Sequence, residues 1–133
     1  MSVTLTENQA ALLREKHFAE LVTLMPDGSP QISPVWVDTD GTNVLINTAV
    51  GRLKTRNIER DPRVAVAVLD PASPYERVLN IRGRVISVSP EGADDHIDSL
   101  AKKYLGVDSY PGRNPAEQRV ILTIEVDHAS GSV

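Results

Sequence analysis

The sequence predicts a mainly β protein: a six-stranded antiparallel barrel with inserted helices. Three observations carry that reading. Six segments of strand character follow one another with short turn signals between them. The apolar residues make up 41% of the chain and are mostly Val, Ile, Leu and Ala, beside one Phe, one Trp and three Tyr; this richness in β-branched side chains favours sheet. The helical segments are two or three, too few for a doubly wound parallel sheet. The 133 residues are expected to form a single domain, 1–133, long enough for a real core. A barrel of this size has little room for an enclosed ligand, so a ligand is expected on the outside, completed by a second subunit.

The elements follow in order. Thr6-Glu-Asn-Gln9 has capping-box spacing and opens a helix to about Lys16, with Ala10, Leu12 and Leu13 inward. Phe18 to Met25 reads as a strand, stopped by the turn Pro26-Asp-Gly-Ser29. Gln31 to Asp38 is the second strand, with Ile32, Val35, Trp36 and Val37; Pro34 inside it requires an edge or a bulge, where no ladder N–H is needed. Asp40-Gly-Thr-Asn43 turns the chain into Val44–Asn47. A basic helix then runs to Asp61-Pro62. Arg63 to Leu69 is so apolar that both faces are expected to be covered. After a loop at Asp70–Pro74, Arg77 to Ser89 is a long strand bent at Gly83. Pro90 and Glu91 introduce a helix to about Leu105, with Ile97, Leu100, Ala101 and Tyr104 at core spacing. Gly106 to Pro115 is irregular, and Arg119 to Val126 alternates as the last strand.

Composition excludes several classes of function. Without cysteine there are no disulfides, zinc thiolates or thiol nucleophiles. No apolar run approaches the ~20 residues of a membrane-spanning helix, and the N-terminus lacks a signal-peptide pattern; a soluble cytoplasmic protein without membrane insertion is expected. A net charge of −4 and few aromatics argue against a nucleic-acid surface.

Within this acidic chain, Asn47 to Val64 holds a local basic cluster. A strand ends at Thr48, Gly51 follows, and Arg52, Lys54, Arg56 and Arg60 lie on the next helix. A helix start presents unpaired N–H groups and favours an anion. With the Thr48 hydroxyl, Arg52 and Lys54 make a phosphate cradle for a small molecule. The alternative weighs equally: arginines four apart lie on a solvated face, Glu59 and Asp61 neutralise them, and the glycine pattern of a nucleotide-triphosphate loop is absent. Other constellations are weaker. His17, His96 and His128 are dispersed, so no metal site is expected. Asp94 and Asp98 share a helix face from which His96 points away, a solvated acidic face. No serine lies in a nucleophile elbow. Tyr104 and Leu100 read as core, and Trp36 as a dimer-interface anchor ahead of a cofactor contact.

Four segments together resemble a known family. Leu24-Met-Pro-Asp-Gly-Ser-Pro-Gln-Ile-Ser-Pro-Val-Trp36 resembles the opening hairpin of the pyridoxamine-phosphate-oxidase-like split β-barrel superfamily, which includes FMN-binding barrels. Thr48 to Val64, ending in Asn57-Ile-Glu-Arg-Asp-Pro-Arg-Val64, resembles its cofactor-phosphate helix and following strand. Pro74-Tyr75 with Ile81-Arg-Gly-Arg-Val85 is similar to its next long strand. His96-Ile-Asp-Ser-Leu-Ala-Lys-Lys-Tyr104 is similar to a helix of its actinobacterial branch, the flavin/deazaflavin oxidoreductase B group, whose members mostly use coenzyme F420.

The resemblance implies a six-stranded split barrel, a homodimer with cofactor sites at the subunit interface, and a reductase that transfers hydride between reduced F420 and a small organic acceptor. It places Arg52 and Lys54 in the phosphate clamp, Thr48 and Gly51 in its approach, and Gln31, Ser33 and Pro34 along the cofactor ring. Tyr75 would reach the site of the partner subunit. Departures from true pyridoxamine phosphate oxidases disfavour a vitamin B6 phosphate. Val35 stands where they carry a basic residue, no terminal segment rich in Trp, Arg and Pro follows, and Leu53 separates Arg52 from Lys54. The alternatives are FMN in the same place, giving a flavin reductase or oxidase, and a non-catalytic cofactor- or haem-binding protein. Arg56, Arg60 or Arg113 would suit the oligoglutamate tail of F420. No residue set reads as a catalytic constellation, as expected where the cofactor carries the chemistry.

Overall fold

The computed structural model describes residues 2–133, with seven strands and three helices among them. Helix α1 (Glu7–Arg14) opens with the expected capping box between Thr6 and Gln9. Strands β1 (Ala19–Leu24) and β2 (Pro30–Val35) form the first hairpin, and β3 (Asp38–Thr39) and β4 (Val44–Ala49) the second. Helix α2 (Leu53–Arg60), strands β5 (Arg63–Leu69) and β6 (Val78–Ser89), helix α3 (Ala93–Leu105) and strand β7 (Arg119–Ser130) complete the chain. The single sheet has the order β2-β1-β5-β6-β7-β4-β3, every ladder antiparallel.

This order forces the sheet to curl. Its edge strands β2 and β3 are consecutive in the chain, with only Trp36 and Val37 between them. Successive Cα atoms are about 3.8 Å apart, so the two edges lie within about three such steps of each other. No ladder joins them, and the barrel stays split at that seam. The expected single strand Gln31–Asp38 is therefore two strands, seven in all rather than six. Val37 explains the break: its N–H donates to the Tyr104 hydroxyl (3.1 Å) and its carbonyl accepts from Lys103 Nζ (2.6 Å), both on α3. Pro30 and Pro34 sit on an edge strand, where no partner strand misses their N–H.

The inner face carries Leu21, Ile46, Val66, Leu79, Leu122 and Ile124, all essentially without solvent contact, joined by Leu12 and Leu13 of α1 and Ile58 of α2. Each such leucine contributes about 2 kcal/mol by leaving water. Strand β5 departs from expectation. Val64, Val66 and Val68 face inward while Arg63, Ala67 and Leu69 are exposed, so only one face is covered. Among the described residues this outward row of alanine and leucine stays partly or wholly exposed within the single chain. Gly83, the expected bend in β6, is a point of close approach: a Cβ there would lie 2.1 Å from the Glu125 carbonyl oxygen. The β6–β7 register shifts at this point, and β7 continues past the shift to Ser130. No helix among the described residues is long and apolar enough to cross a membrane.

Candidate active site

The seam opens on an external cleft of about 310 Å³. Its floor and walls come from five elements: the end of β2 with Pro34 and Val35, the end of β4 with Asn47 and Thr48, the start of α2, Ile97 of α3, and Arg119 at the start of β7. The turn into α2 is fixed locally. Gly51 takes φ +91°, a left-handed conformation that suits glycine, and the Thr55 hydroxyl donates to the Arg52 carbonyl (2.7 Å) and the Ala49 carbonyl (3.3 Å).

One wall is aromatic. Trp36 stacks on Tyr104, centroids 5.1 Å apart and planes 4° from parallel, and meets Tyr110 edge-on at 5.9 Å. Phe18 stacks on Tyr104 at 5.6 Å and keeps 66% of its surface exposed. Tyr104 is buried beneath them as core, as its spacing predicted, with its hydroxyl donating to the His17 carbonyl (2.6 Å). Trp36, expected at a dimer interface, lines the cleft.

The opposite character comes from Lys54, Arg52 and Arg119, while no carboxylate lines the cleft. Arg52 pairs with Glu117 outside it (2.9 Å). Arg119 lies over the Tyr110 ring (4.9 Å) and donates towards the Tyr110 hydroxyl (3.3 Å) and the Asn47 side-chain carbonyl (3.5 Å). Lys54 has no hydrogen-bond or ion-pair partner among the described residues. Burial, then the neighbouring Arg52 charge, pushes its ammonium below the usual lysine range. In the same cleft, the buried Thr48 hydroxyl has no partner among the described residues either. The first turn of α2 carries no acidic side chain, and Arg52 at its N-cap makes no side-chain cap bond. Desolvated, unanswered donors at a helix start are groups whose hydrogen bonding and charge an anion would satisfy.

Of the residues expected at the site, Pro34, Thr48, Arg52 and Lys54 line the cleft, and Gly51 shapes the turn beside it. Gln31 does not line it: it faces Thr23 across the β1–β2 ladder and accepts from that hydroxyl (2.7 Å), which in turn accepts from Asn57 (3.0 Å). Ser33 is absent from the lining, although its hydroxyl is buried and unpartnered. Tyr75 stands 86% exposed on the β5–β6 loop, away from this chain's own cleft. Arg119, Asn47, Phe18 and Tyr110 were missed. Arg119 reaches the cleft because it pairs with Ala49 across the β4–β7 ladder, which puts Asn47 diagonally beside it.

The remaining charged clusters are closed. Glu15, His17 and Asp70 bring ligand atoms within 4.8 Å of one another, but Arg77 lies among them, donating to both Glu15 oxygens (2.8 and 3.0 Å) and to Asp70 (2.7 Å). Its guanidinium, with His17, holds the Glu15 carboxyl down at about 2. Asp94 and Asp98 are bridged by Arg113 (3.6 and 2.7 Å). No histidine lines the cleft; His96 lies one residue behind it, against Asn47.

Comparison with known proteins agrees with this geometry. A pyridoxamine 5'-phosphate oxidase family model matches residues 5–132. An F420H(2)-dependent biliverdin reductase of Mycobacterium tuberculosis (strain CDC 1551 / Oshkosh) is 26% identical over 131 residues, covering 96% of this chain and 88% of the relative. A solved structure named F420 reductase superposes with a TM-score of 0.81 at 32% identity, covering 95% of this chain and 98% of the other. A conserved hypothetical protein of Mycobacterium tuberculosis shares the fold at 22% identity, with a TM-score of 0.75 over 96% of this chain and 84% of its own.

Proposed function

The chain belongs to the pyridoxamine 5'-phosphate oxidase family, and on that premise we propose that it is a deazaflavin-dependent oxidoreductase, transferring hydride between reduced coenzyme F420 and a small organic acceptor. The observation that carries this reading is the desolvated, partnerless Lys54 ammonium together with the orphaned Thr48 hydroxyl in the same aromatic cleft. Two relatives named for F420, at 26% and 32% identity, support the choice of cofactor.

The residues present fit such a group. Lys54, Arg52 and the Thr48 hydroxyl would hold its phosphate, with the α2 start behind them. The cofactor, when bound, supplies a hydride from a ring carbon. Pro34, Val35 and Trp36 form a rigid wall that orients a flat ring and keeps water from one side of it. The hydrogen bonds of Val37 to α3 fix that wall in register. A second copy of the chain is expected on the outward face of β1 and β5, where the side chains of Val22, Ala65 and Ala67 and the exposed Ile32 of β2 surround a shallow groove; Tyr75 would then reach towards the partner's cleft. The reaction is assigned to the cytoplasm.

The test is a titration of the purified protein with coenzyme F420 and with FMN, read by quenching of Trp36, the single tryptophan, and by visible absorbance. Saturable, selective F420 binding followed by turnover of acceptors with the reduced cofactor is the expected result. Preference for FMN would replace the deazaflavin reading with a flavin one. If neither binds, the phosphate role of Lys54 and Thr48 is wrong.

A further inference from the structure

His96 is not part of the cleft, yet it is joined to it by a short chain of polar contacts. The Asn47 side-chain amide lies between α3 and β7. Its nitrogen donates to the Ala93 carbonyl (2.8 Å) and faces His96 Nδ1 (3.2 Å), while its oxygen faces the Arg119 guanidinium (3.5 Å). The Ala93 bond fixes which end of the amide is the donor, because a backbone carbonyl only accepts. His96 Nδ1 must then be an acceptor, which leaves the proton on Nε2. That Nε2 is buried and has no partner among the described residues. A buried donor without a partner is costly and calls for a reason.

We propose that neutral His96 is a positioning residue: by accepting from Asn47 it locks the amide so that its oxygen holds Arg119 in the cleft. This rests on the reading of the cleft as an anion-binding site, and it adds a component that no cleft residue supplies. Arg119 is otherwise held by Tyr110, through the ring face and the hydroxyl, and the Tyr110 N–H is itself anchored on Asp98 (2.8 Å). The guanidinium is thus clamped from two sides, and His96 governs one of them.

The arrangement has a built-in consequence. Protonation turns Nδ1 into a donor, so two N–H groups would confront each other across 3.2 Å. The amide could turn to accept from His96 only by giving up Ala93 and pointing its NH2 at Arg119. The charged groups facing the imidazole are Asp38 on β3 and Lys103 on α3; the first favours the charged form, the second opposes it. Burial outweighs both and moves the titration below the usual histidine value. Arg119 therefore loses its Asn47 contact on the acid side only, while Tyr110 still holds it.

The experiment follows the side-chain nitrogens of the cofactor-free protein by 15N NMR from pH 5 to 8, and in parallel the affinity for F420. The expected spectrum has His96 protonated on Nε2, with the Asn47 amide resonances moving at the His96 midpoint. F420 affinity should fall by about tenfold below that midpoint, the worth of one charge-assisted contact. In His96→Gln, whose amide oxygen still accepts from Asn47 but does not titrate, that step should vanish. In Asn47→Asp, a carboxylate against the ring should raise the His96 midpoint above that of the wild type. A proton on Nδ1, or Asn47 resonances indifferent to the His96 titration, would overturn the proposal whatever binds. Failure of F420 to bind with the NMR coupling intact would instead remove the function proposed for the cleft. A pH step that persists in His96→Gln would also overturn the proposal.

Discussion

Two charged clusters in this chain end in opposite states. Around Arg77, every charge is answered: Glu15 takes the guanidinium with both oxygens, Asp70 takes it from the other side, and His17 leans on Glu15. At the cleft, Lys54 is more deeply placed and has nothing to bond to. The first cluster commits its donors to holding the β5–β6 loop against the end of α1. The second leaves the Lys54 ammonium and the Thr48 hydroxyl unanswered, at a cost to the folded state. The contrast teaches that charge content does not distinguish a site from a strut; unanswered, desolvated donors do.

Removing the open charge should have the largest effect, and only on binding. Lys54→Ala is expected to weaken F420 by ~1.5–3 kcal/mol, the range of a charge-assisted hydrogen bond. Its melting temperature should hold or rise, since a desolvated ammonium without a partner is lost. Calorimetry with and without ligand checks both halves, and a clear loss of apo stability would erase the distinction drawn between the clusters. Tyr104→Phe probes the layer between them. Its hydroxyl serves the Val37 N–H and the His17 carbonyl, and stranding those buried groups should lower stability by ~1–3 kcal/mol. Urea unfolding measures it; an unchanged midpoint would mean that the wall is not fixed from α3. The smallest effect belongs to the closed cluster. Arg77→Met should lower stability by at most ~1 kcal/mol, because the pairs are half-exposed, and leave F420 affinity alone.

Acid titration sharpens the same comparison. Glu15 is held at about 2 in the folded protein against an ordinary 4.5, so the folded state binds fewer protons in that window. Its contribution is complete above the ordinary value and disappears as pH falls from about 4.5 towards 2. Arg77→Met should lose less stability than the wild type across that interval. Equal slopes in the two proteins would show that Glu15 gains nothing from the guanidinium.

Much of the fold was legible residue by residue. Thr6 and Gln9 form their capping box, Pro34 lies on an edge, the β6 register shifts at Gly83, and Ile97, Leu100 and Tyr104 pack as α3's inner face. Those features are written in local patterns of spacing and turn chemistry. What escaped depends on where distant strands meet. The alternation of Val35 and Val37 runs unbroken through the point where the chain changes edges, so nothing local marks the seam. The family resemblance implies Gln31 along the ring, and no local pattern announces that its side chain accepts from Thr23 across the strand pair. Arg119 and Tyr110 enter the cleft only through the β4–β7 register and an irregular segment, neither of which spacing can anticipate. That Lys54 and Arg52 lie together at the cleft was legible because strand, glycine and basic helix start are contiguous.

The seam at Trp36 and Val37 also bears on the order in which the molecule assembles. Hairpins β1–β2 and β3–β4 need only neighbouring residues, whereas Val37 reaches Tyr104 across 67 positions of chain. Loop closure of that length comes late and slowly. Because the cleft is lined by Trp36, next to Val37, and by Ile97, on the same helix as Tyr104, it exists only once the ends of the sheet have been drawn together. A ligand seated there therefore stabilises the closed sheet, adding about 2.7 kcal/mol at a hundred times its dissociation constant.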